Sequence, residues 1–460
     1  MLSPTRAFVI LCCLLLLAAT AAAAQTTSAA VDFAELEKAV EAELRENKTP
    51  GAAFAVVRGE RVLFAKGFGA TSAEGGASIT PDTLFRMGST TKMFTAAALL
   101  TLADAGRIKL DAPIGNYVKN LPPKLGALTA HQLLSQSSGL RDFAPTLVTN
   151  DDAGLSTNVR SWKDDVFFTE PNKVYSYSSA GYWLAGLVVE ELHGKPYADA
   201  LTDLLFKPLG MMRSAVRPLA AMTYPLALGH NVERGSATVV RPVFNNAAMY
   251  PGGSMYSSAN ELARFAVALL NGGMLEGRRA LAPLVVSQLP AQQFPLPGGE
   301  GAFYAYGLLG FETRGIRIVS HGGVSRGYGS TIDFVPAHKL AVVVLANRNG
   351  ETLPKSRMKA LELLLRLAPE TNAPTAAPLA VSDTEMRRYT GRYAHAPQVW
   401  EVFVKENKLY LKEDGKEFPL TKTGKDKFTY EQGELIFLSN ERGEVEHLSL
   451  GLYAARKVQP

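Results

Sequence analysis

The chain has 460 residues, of which 47% are hydrophobic and 20% are charged, and its formal net charge is +5. This composition is typical of a globular protein with a sizeable core, and the length predicts two domains. The charge is mild, and the chain contains no basic stripe with interleaved aromatic residues. Nucleic acid is therefore not an expected partner.

The N-terminal residues are typical of a secretory signal peptide. An arginine precedes an apolar run over 7–19, and small residues continue to position 24. We expect a secreted or periplasmic protein from which residues 1–24 are removed. The run is short of the about 20 residues that a membrane-spanning helix needs, so no stable span is expected after cleavage, although an uncleaved anchor is the alternative. Cys12 and Cys13 both lie in this run, so the mature chain has no thiol or disulfide.

The first half of the chain predicts a hairpin followed by helices. A helical segment over 31–44 precedes two apolar β-type runs in GAAFAVVRGERVLFAKGFGA, which flank a turn at 58–60. Residues 89–105 are apolar nearly all round, which predicts a buried helix ended by Gly106. From about 129 to 270 the periodicity is helical, as in HQLLSQSSGL and ANELARFAVALL. This region predicts a helical lobe.

The second half returns to strands. Three β-type runs, IRIVSHGG, GSTIDFV and KLAVVVLAN, precede a helix over 358–367. Strands at both ends of this part of the chain, with helices between them, predict an α+β fold with one sheet built from distant segments. A Pro- and Ala-rich linker is predicted over 369–382. Residues 383–460 alternate apolar and polar residues between short turns, which predicts a small all-β domain, either a sandwich or a barrel.

The stretch FRMGSTTK places Ser89 and Lys92 three residues apart at the start of the predicted buried helix. Residues at this spacing share a helix face. A serine needs a base to become a nucleophile, and a lysine in an apolar pocket near other cations loses its proton readily enough to serve as one. The free N–H groups of the helix start favour a developing anion. The pattern indicates that Ser89 becomes acylated.

Ser-x-x-Lys alone is a weak signal, because a helix-cap serine and a solvated lysine also produce it. The same spacing occurs at Ser356 and Lys359. That second match lies in PKSRMK, which we expect to be too polar for a buried site. At Ser89, by contrast, Gly88 clears space and apolar residues follow.

FRMGSTTK resembles the first motif of the penicillin-recognising serine hydrolases, the fold shared by serine β-lactamases and D-Ala-D-Ala peptidases. The surroundings resemble the class C β-lactamase-related branch, which includes D-aminopeptidases and esterases. The resemblance covers about 31–367 and includes PGAAFAVV, LTAHQLLSQSSGL and VYSYSSAGYWLAGLVVE. It implies a β-lactamase/transpeptidase-like antiparallel sheet flanked by helices, in a hydrolase domain over 31–368.

The second motif of this family is Tyr-x-Asn, and the matching residues here are Tyr177-Ser178-Ser179. The resemblance makes Tyr177 the proton shuttle beside Ser89, with a pKa lowered by nearby cations. Ser179, a substrate-binding candidate, stands where asparagine is usual, and its hydroxyl reaches less far than an amide. This departure argues against a true β-lactamase. A purely structural tyrosine is the alternative for Tyr177.

The third motif is a cation-x-Gly on a strand, and VSHGGVS supplies His321, Gly322 and Gly323. The resemblance implies that His321 holds a substrate carboxylate or relays protons through Tyr177. Both glycines would let the substrate approach the strand backbone. A hydrogen-bonded structural histidine is the alternative for His321.

The resemblance also assigns the oxyanion hole to the backbone N–H groups of Ser89 and Val324. Two further motif matches fail on context. The literal Lys-Thr-Gly at 422–424 lies in a charged stretch that predicts a loop. The Gly-x-Ser-x-Gly at 323–327 resembles an α/β-hydrolase elbow, but a predicted strand follows it instead of the required helix.

The seven histidines are scattered, with no His-x-His or HExxH pairing, so we expect no metal and no cofactor. The C-terminal domain resembles the small β-domains appended to some peptidases and esterases of this branch, which are lipocalin-like in some relatives. In those relatives the domain limits access to the active site or mediates assembly, and a stabilising appendage is the alternative here.

Together these observations predict an exported serine hydrolase that acts through an acyl-enzyme on D-amino-acid peptides, esters or related amides. A small-ester carboxylesterase and a β-lactamase are alternatives, as is a non-hydrolytic binder of cell-wall peptides or penicillin. The expected partner is a small-molecule or peptide substrate, with peptidoglycan-derived peptides among the candidates.

Overall fold

A computed structural model of the chain describes residues 31–299, 301–370 and 377–458. The predicted signal peptide, residues 1–24, lies outside the described residues, as does part of the predicted linker. Among the described helices, none is both long enough and apolar enough to cross a membrane.

One eight-stranded antiparallel sheet forms the centre of the hydrolase domain. Its strands are β1 (Gly51–Arg58), β2 (Arg61–Gly69), β3 (Phe294–Pro295), β4 (Phe303–Tyr304), β5 (Leu309–Thr313), β6 (Ile316–Ser325), β7 (Tyr328–Val335) and β8 (Leu340–Ala346). Their order is β2-β1-β8-β7-β6-β5-β4-β3, and Ala52 pairs with Ala346. The prediction of one sheet assembled from distant segments is therefore confirmed.

Helices cover both faces of this sheet and form the adjoining lobe. The helices named below are α1 (Ala34–Glu46), α2 (Thr91–Asp104), α3 (Ser179–His193), α4 (Ala259–Leu270), α5 (Pro354–Leu364) and α6 (Asp383–Tyr389). Shorter helices cover Pro123–Gly126, Ala130–Leu134, Gly154–Arg160, Tyr197–Leu201, Lys207–Leu209, Pro218–Ala221, Tyr250–Gly253 and Pro283–Gln288. The α5 helix begins four residues before the predicted start because Pro354 suits the first helical turn.

The alternation of side chains along β1 divides the core into two layers. Phe54 and Val56 face α1 and α5, where they pack in one apolar cluster with Leu36 and Leu361. The intervening alanines of β1 face α2 and α4 in the larger cluster. The α2 helix is buried on nearly all sides, as its uniformly apolar sequence predicts. The start of α2 is therefore fixed between the sheet and the helical lobe.

The C-terminal domain is a nine-stranded antiparallel sheet. Its strands are β9 (Gly391–His395), β10 (Gln398–Lys405), β11 (Lys408–Glu413), β12 (Lys416–Pro419), β13 (Thr421–Gly424), β14 (Lys427–Tyr430), β15 (Gly433–Ser439), β16 (Val445–Leu450) and β17 (Tyr453–Val458). In the sheet order β12-β11-β10-β9-β17-β16-β15-β14-β13, the two edge strands are consecutive in the chain. The sheet therefore curls into a nearly closed barrel.

The prediction of an all-β C-terminal domain is confirmed by this sheet, and one short helix, α6, precedes its first strand. Ser382 and Glu385 form a reciprocal capping box at the start of α6. Tyr389 of α6 stacks on Phe437 in the barrel core, with ring centroids 4.3 Å apart. The Lys-Thr-Gly at 422–424 lies in edge strand β13 and not in a loop, since pairing with β14 compensates for its polar sequence.

Candidate active site

The predicted nucleophile and lysine lie where the central helix begins. A 3-10 turn, Gly88–Thr90, carries Ser89 and leads directly into α2, which carries Lys92. Lys92 is fully buried, and its ammonium group donates to three oxygen atoms. These are Ser89 Oγ at 3.4 Å, Ser179 Oγ at 3.4 Å and the Gly252 carbonyl at 2.8 Å. One cation therefore links the predicted nucleophile to two residues that are distant in the chain.

Burial controls the charge of Lys92. Removal from solvent penalises the ammonium form and lowers the pKa of Lys92 to about 7, whereas the charge of Asp142 opposes the shift. Near neutral pH a large fraction of the side chain is therefore the free amine. Because this amine lies within hydrogen-bonding distance of Ser89, it can accept the hydroxyl proton as Ser89 attacks a carbonyl carbon.

The phenol of Tyr177 joins this group from a separate segment. The Lys92 nitrogen lies 4.7 Å from the centroid of the Tyr177 ring. Burial raises the pKa of Tyr177; a hydrogen bond with Ser89 opposes the rise and the charge of Asp142 adds to it. The expectation of a lowered pKa is therefore wrong, because removal of the phenolate from solvent is the largest effect on it. Tyr177 is a neutral phenol, which suits it to pass a proton on and not to act as a charged base.

His321 lies in β6 near Tyr177, and its ring is neutral. Burial and the charge of Lys92 lower the pKa of His321 to about 4, although the hydrogen bond to Gly322 opposes them. Nδ1 donates to the Gly322 carbonyl at 2.6 Å, so Nε2 accepts a hydrogen bond from the Tyr304 hydroxyl at 3.4 Å. A neutral ring offers no positive charge to a substrate carboxylate. Neither hydrogen bond joins the ring to Tyr177, so the proton relay through Tyr177 stays a prediction.

The two glycines of the third motif have different surroundings. A Cβ on Gly323 would collide with the Met87 carbonyl, whereas a Cβ on Gly322 would meet its nearest neighbour, Thr331, at 3.8 Å. Gly322 is also exposed and Gly323 is buried. The prediction that both glycines admit substrate therefore fits Gly322 alone. Gly323 instead lets β6 approach the turn that carries Ser89.

The backbone of Val324 lies beside this same turn. Gly88 has a φ of +54°, and a Cβ there would come within 2.5 Å of the Val324 carbonyl oxygen. Only glycine suits this position, because it tolerates a positive φ and leaves room for the close approach. The contact places the backbone of Val324 beside Gly88, one residue before Ser89. The oxyanion hole formed by the N–H groups of Ser89 and Val324 stays a prediction.

Ser179 is the first residue of helix α3. The Ser178 hydroxyl caps this helix by accepting from Gly181 N–H at 3.2 Å, and Ser179 N–H donates to Asp142 Oδ1 at 2.8 Å. The Ser179 hydroxyl therefore remains available to accept from Lys92. A serine at the usual asparagine position still contacts the lysine.

A cavity of about 540 Å³ opens beside Ser89. Its wall also includes Ser179, Val324 and six apolar residues: Ala144, Pro145, Val148, Trp183, Phe244 and Met249. Two arginines, Arg86 and Arg326, supply the charge of the lining, which includes no acidic side chain among the described residues. Lys92, Tyr177 and His321 do not line this cavity, so substrate would meet the serine first.

Three residues of the site escape prediction from sequence: Asp142, Gly252 and Tyr304. The acceptor on Gly252 is a backbone carbonyl, which every residue possesses, so no side-chain pattern marks it. Asp142 follows the quoted SQSSGL stretch, and its charge affects the pKa of both Lys92 and Tyr177. The presence of an acidic residue close to that stretch is the one sequence feature that could have indicated a role for Asp142 in the site.

The other motif matches do not form comparable sites. Ser356 is buried, contrary to prediction, because Glu43 of α1 accepts hydrogen bonds from its hydroxyl at 2.6 Å and its N–H at 2.8 Å. Its hydroxyl therefore pairs with a carboxylate and not with Lys359, so this match forms no serine–lysine pair. Residues 323–325 end β6 and residues 326–327 form the turn before β7, so this match is not an elbow before a helix. Within the described part of the chain, no three His, Cys, Asp or Glu side chains are grouped as metal ligands.

Residues 36–366 match the family model described as Beta-lactamase. The matched segment contains the whole central sheet and Ser89, Lys92, Tyr177 and His321. The chain therefore belongs to the β-lactamase family of serine hydrolases.

Two curated relatives illustrate the extent of the similarity. Penicillin-binding protein 4 of Amycolatopsis lactamdurans is 30% identical over 383 residues, which cover 80% of this chain and 99% of that protein. Protein flp of Staphylococcus aureus (strain N315) is 26% identical over 331 residues, which cover 70% of this chain. The match spans only 64% of the length of Protein flp.

Two solved structures share the fold. The crystal structure of SurE superposes with a TM-score of 0.75 at 22% identity, over 92% of this chain and 98% of SurE. A β-lactamase/D-alanine carboxypeptidase from Pseudomonas syringae gives a TM-score of 0.60 at 22% identity, over 72% of this chain and 99% of that one. Because the match to SurE covers 92% of this chain, it extends beyond the hydrolase domain into the C-terminal barrel.

Proposed function

We propose that this protein hydrolyses D-amino-acid peptides, esters or related amides through an acyl-enzyme on Ser89. One observation carries the proposal: a fully buried lysine, whose pKa burial lowers to about 7, donates to the hydroxyl of a serine that opens onto a cavity. Burying an amine costs free energy that an apolar residue would not cost. Use of Lys92 as a base accounts for its presence.

In the proposed acylation, Ser89 Oγ bonds to the substrate carbonyl carbon while the free amine of Lys92 takes the hydroxyl proton. The carbonyl oxygen becomes an oxyanion, which the N–H groups of Ser89 and Val324 stabilise. As the bond to the leaving group breaks, Tyr177 gives that group its phenolic proton and receives one from Lys92. The products are the acyl-enzyme and the protonated leaving group.

Deacylation follows the same path with water as the nucleophile. The oxygen of water bonds to the acyl carbon, and its proton passes through Tyr177 to Lys92. The bond from the carbon to Ser89 Oγ then breaks, and Lys92 returns the proton to the serine. The products are a carboxylic acid and the free enzyme.

The choice of D-amino-acid substrates rests on the relatives and on two departures from the β-lactamase pattern. Two similar proteins are named for penicillin binding and for D-alanine carboxypeptidase activity. In this chain Ser179 replaces the usual asparagine, and a neutral His321 replaces a cation. Both changes favour a peptidase over a β-lactamase, with peptidoglycan-derived peptides as candidate substrates. β-Lactam hydrolysis and non-hydrolytic penicillin binding remain alternatives.

A carboxylesterase for small acyl esters is a second candidate, and the cavity supports it. Trp183, Phe244 and Met249 give the wall beside Ser89 an apolar surface. Such a surface suits an apolar acyl group, since binding would bury it from water.

Active-site labelling separates these functions. The purified protein is treated with a fluorophosphonate and with a penicillin, and the modified residue is mapped by mass spectrometry. We expect both probes to modify Ser89, and Ser89→Ala to lose labelling and hydrolysis while remaining folded by circular dichroism. Ser325→Ala is the matched control at the cavity wall and should label normally. Modification at Ser325 or Ser356 would contradict the proposal.

Turnover assays then assign the substrate class. Faster hydrolysis of D-Ala-D-Ala peptides than of p-nitrophenyl acetate supports the peptidase, and labelling by the fluorophosphonate alone supports the esterase. A penicillin adduct that persists without turnover supports the binding function.

We also propose that the protein is exported, on the basis of the apolar run over 7–19. Cell fractionation and N-terminal sequencing of the mature chain test this. A new N-terminus near residue 25 is expected, whereas the full chain in the membrane fraction would support an uncleaved anchor.

A further inference from the structure

Residues 451–454 contact the segment that carries Tyr177. They comprise the turn between the last two barrel strands and the first two residues of β17, and are called here the 451–454 turn. Tyr177 N–H donates to the Leu452 carbonyl at 2.9 Å, and Ala454 N–H donates to Ser176 Oγ at 3.1 Å. Tyr453 packs in one apolar cluster with Tyr177. The predicted proton shuttle thus has its own backbone N–H satisfied by the C-terminal domain and not by the domain that contains it.

Asp142 connects the same turn to Ser179. One carboxylate oxygen accepts from Ser179 N–H at 2.8 Å, and the other accepts from the Tyr453 hydroxyl at 3.3 Å. The Asp142 N–H donates to His395 Nε2 at 3.1 Å. His395 Nδ1 in turn donates to the Ala454 carbonyl at 2.7 Å, which fixes its tautomer. Both the side chain and the backbone of Asp142 are therefore held by the barrel.

The hydrolase domain contacts this segment through Gln136 and, at Ser179, through Asp142. Gln136 accepts from Ser176 N–H at 3.0 Å through its carbonyl, and from Ser178 N–H at 2.8 Å through its side chain. Successive N–H groups therefore alternate between supports: 176 and 178 bind Gln136, whereas 177 binds the barrel and 179 binds Asp142. Loss of the barrel contacts would leave the Tyr177 N–H without its partner, and it would release Asp142, the residue that binds the Ser179 N–H.

We propose that the C-terminal barrel is a structural part of the active site, in which the 451–454 turn and Asp142 position Tyr177 and Ser179 against Ser89 and Lys92. Tyr453 and Asp142 are positioning residues. This role rests on the proposed function, and it differs from that of an appended domain that only adds stability. The consequence is that a phenolic hydroxyl in the barrel affects the chemical step without touching substrate.

The test uses the full-length chain and two readouts. The first is kcat and KM for hydrolysis. Tyr453→Phe removes one hydrogen bond and keeps the ring, so we expect kcat to fall by about tenfold with KM changed less than about twofold. Asp142→Ala removes both hydrogen bonds and should lower kcat further. Asp142→Asn keeps an acceptor for Ser179 N–H and should restore part of the loss.

The second readout is hydrogen exchange over 174–180, which does not depend on activity. We expect faster exchange there in Tyr453→Phe and Asp142→Ala. Two controls should match the wild type: Leu452→Ala, since only the carbonyl of that exposed residue makes the contact, and Tyr410→Phe elsewhere in the barrel.

The two readouts separate the possible failures. If the wild type has no hydrolytic activity, the proposed function is refuted. If exchange over 174–180 is nevertheless faster in the two variants, the structural contact is supported. Wild-type kcat in both Tyr453→Phe and Asp142→Ala, or unchanged exchange over 174–180 in both, would overturn the positioning role.

Discussion

The side-chain nitrogen of Lys92 lies 3.4 Å from Ser89 Oγ, yet Lys92 is fully buried whereas Ser89 opens onto a cavity. A substrate can reach the hydroxyl, but water cannot hydrate the amine. This exclusion of water keeps the pKa of the amine low. The charge of the base therefore changes near neutral pH, and activity should follow that change.

Activity should rise with pH through about 7. The pKa of Lys92 is lowered to about 7, so below this pH the lysine is protonated and cannot accept the Ser89 proton. Above it the free amine predominates. Initial rates of ester hydrolysis at substrate concentrations well below KM, taken between about pH 5 and pH 9, give kcat/KM. A kcat/KM that falls on raising the pH through neutrality would exclude Lys92 as the base.

Lys92→Met should abolish hydrolysis and raise stability by about 1–4 kcal/mol. The folded-state pKa of Lys92 lies below its unfolded value, so the unfolded state binds the proton more strongly. This difference in pKa reduces the stability of the wild type by its full amount below about pH 7. The reduction disappears as the pH approaches the ordinary pKa of lysine. Urea unfolding at about pH 6 and about pH 10 should show the larger gain at the lower pH. An equal gain at both would contradict this account.

Gly323→Ala and Gly322→Ala form a matched pair on one strand. The first places a methyl group against the Met87 carbonyl, and the second adds one in ordinary contact with Thr331. We expect Gly323→Ala to cost about 1–3 kcal/mol and to reduce Ser89 labelling, because β6 must move away from the nucleophile turn. Gly322→Ala should stay within about 0.5 kcal/mol of the wild type. Equal unfolding midpoints in urea would count against the packing role of Gly323.

Tyr177→Phe tests the proton relay and keeps the ring over Lys92. Loss of a positioned proton donor typically costs about 10²–10⁴-fold in rate, so we expect a fall in kcat of at least about 10²-fold. Tyr175→Phe is the matched control in the same segment, since the Tyr175 hydroxyl is buried with no hydrogen-bond partner among the described residues. Its removal should leave kcat unchanged. Comparable kcat values for the two variants would remove Tyr177 from the mechanism.

The parts of the fold and site that sequence predicts are those with local signals. Alternating and continuous apolar runs indicate β1 and α2, and the motif at Ser89 indicates the family. The burial and the charge state of individual side chains are harder to predict from sequence. Ser356 lies in a polar stretch yet is buried, because a carboxylate 313 residues away in the chain satisfies it. The pKa of Tyr177 rises although cations are near, since its desolvation depends on packing.

The contact between the barrel and Tyr177 was also beyond prediction. The carbonyl of Leu452 makes it, and a carbonyl has no sequence signature. The helix at the start of the barrel, by contrast, is marked by Ser382 and Glu385, whose types and spacing are those of a capping pair. Backbone interactions between distant segments are therefore what sequence reasoning omits here.

The place of β1 between β2 and β8 in the central sheet has a consequence for biosynthesis. The Gly51 N–H donates to Asn347 Oδ1, 296 residues later in the chain, and β1 pairs with β8 along its length. During translation the edge of β1 that pairs with β8 therefore stays unpaired until nearly the whole hydrolase domain has been synthesised. High contact order of this kind slows folding and exposes aggregation-prone edges, so the nascent chain should depend on chaperones.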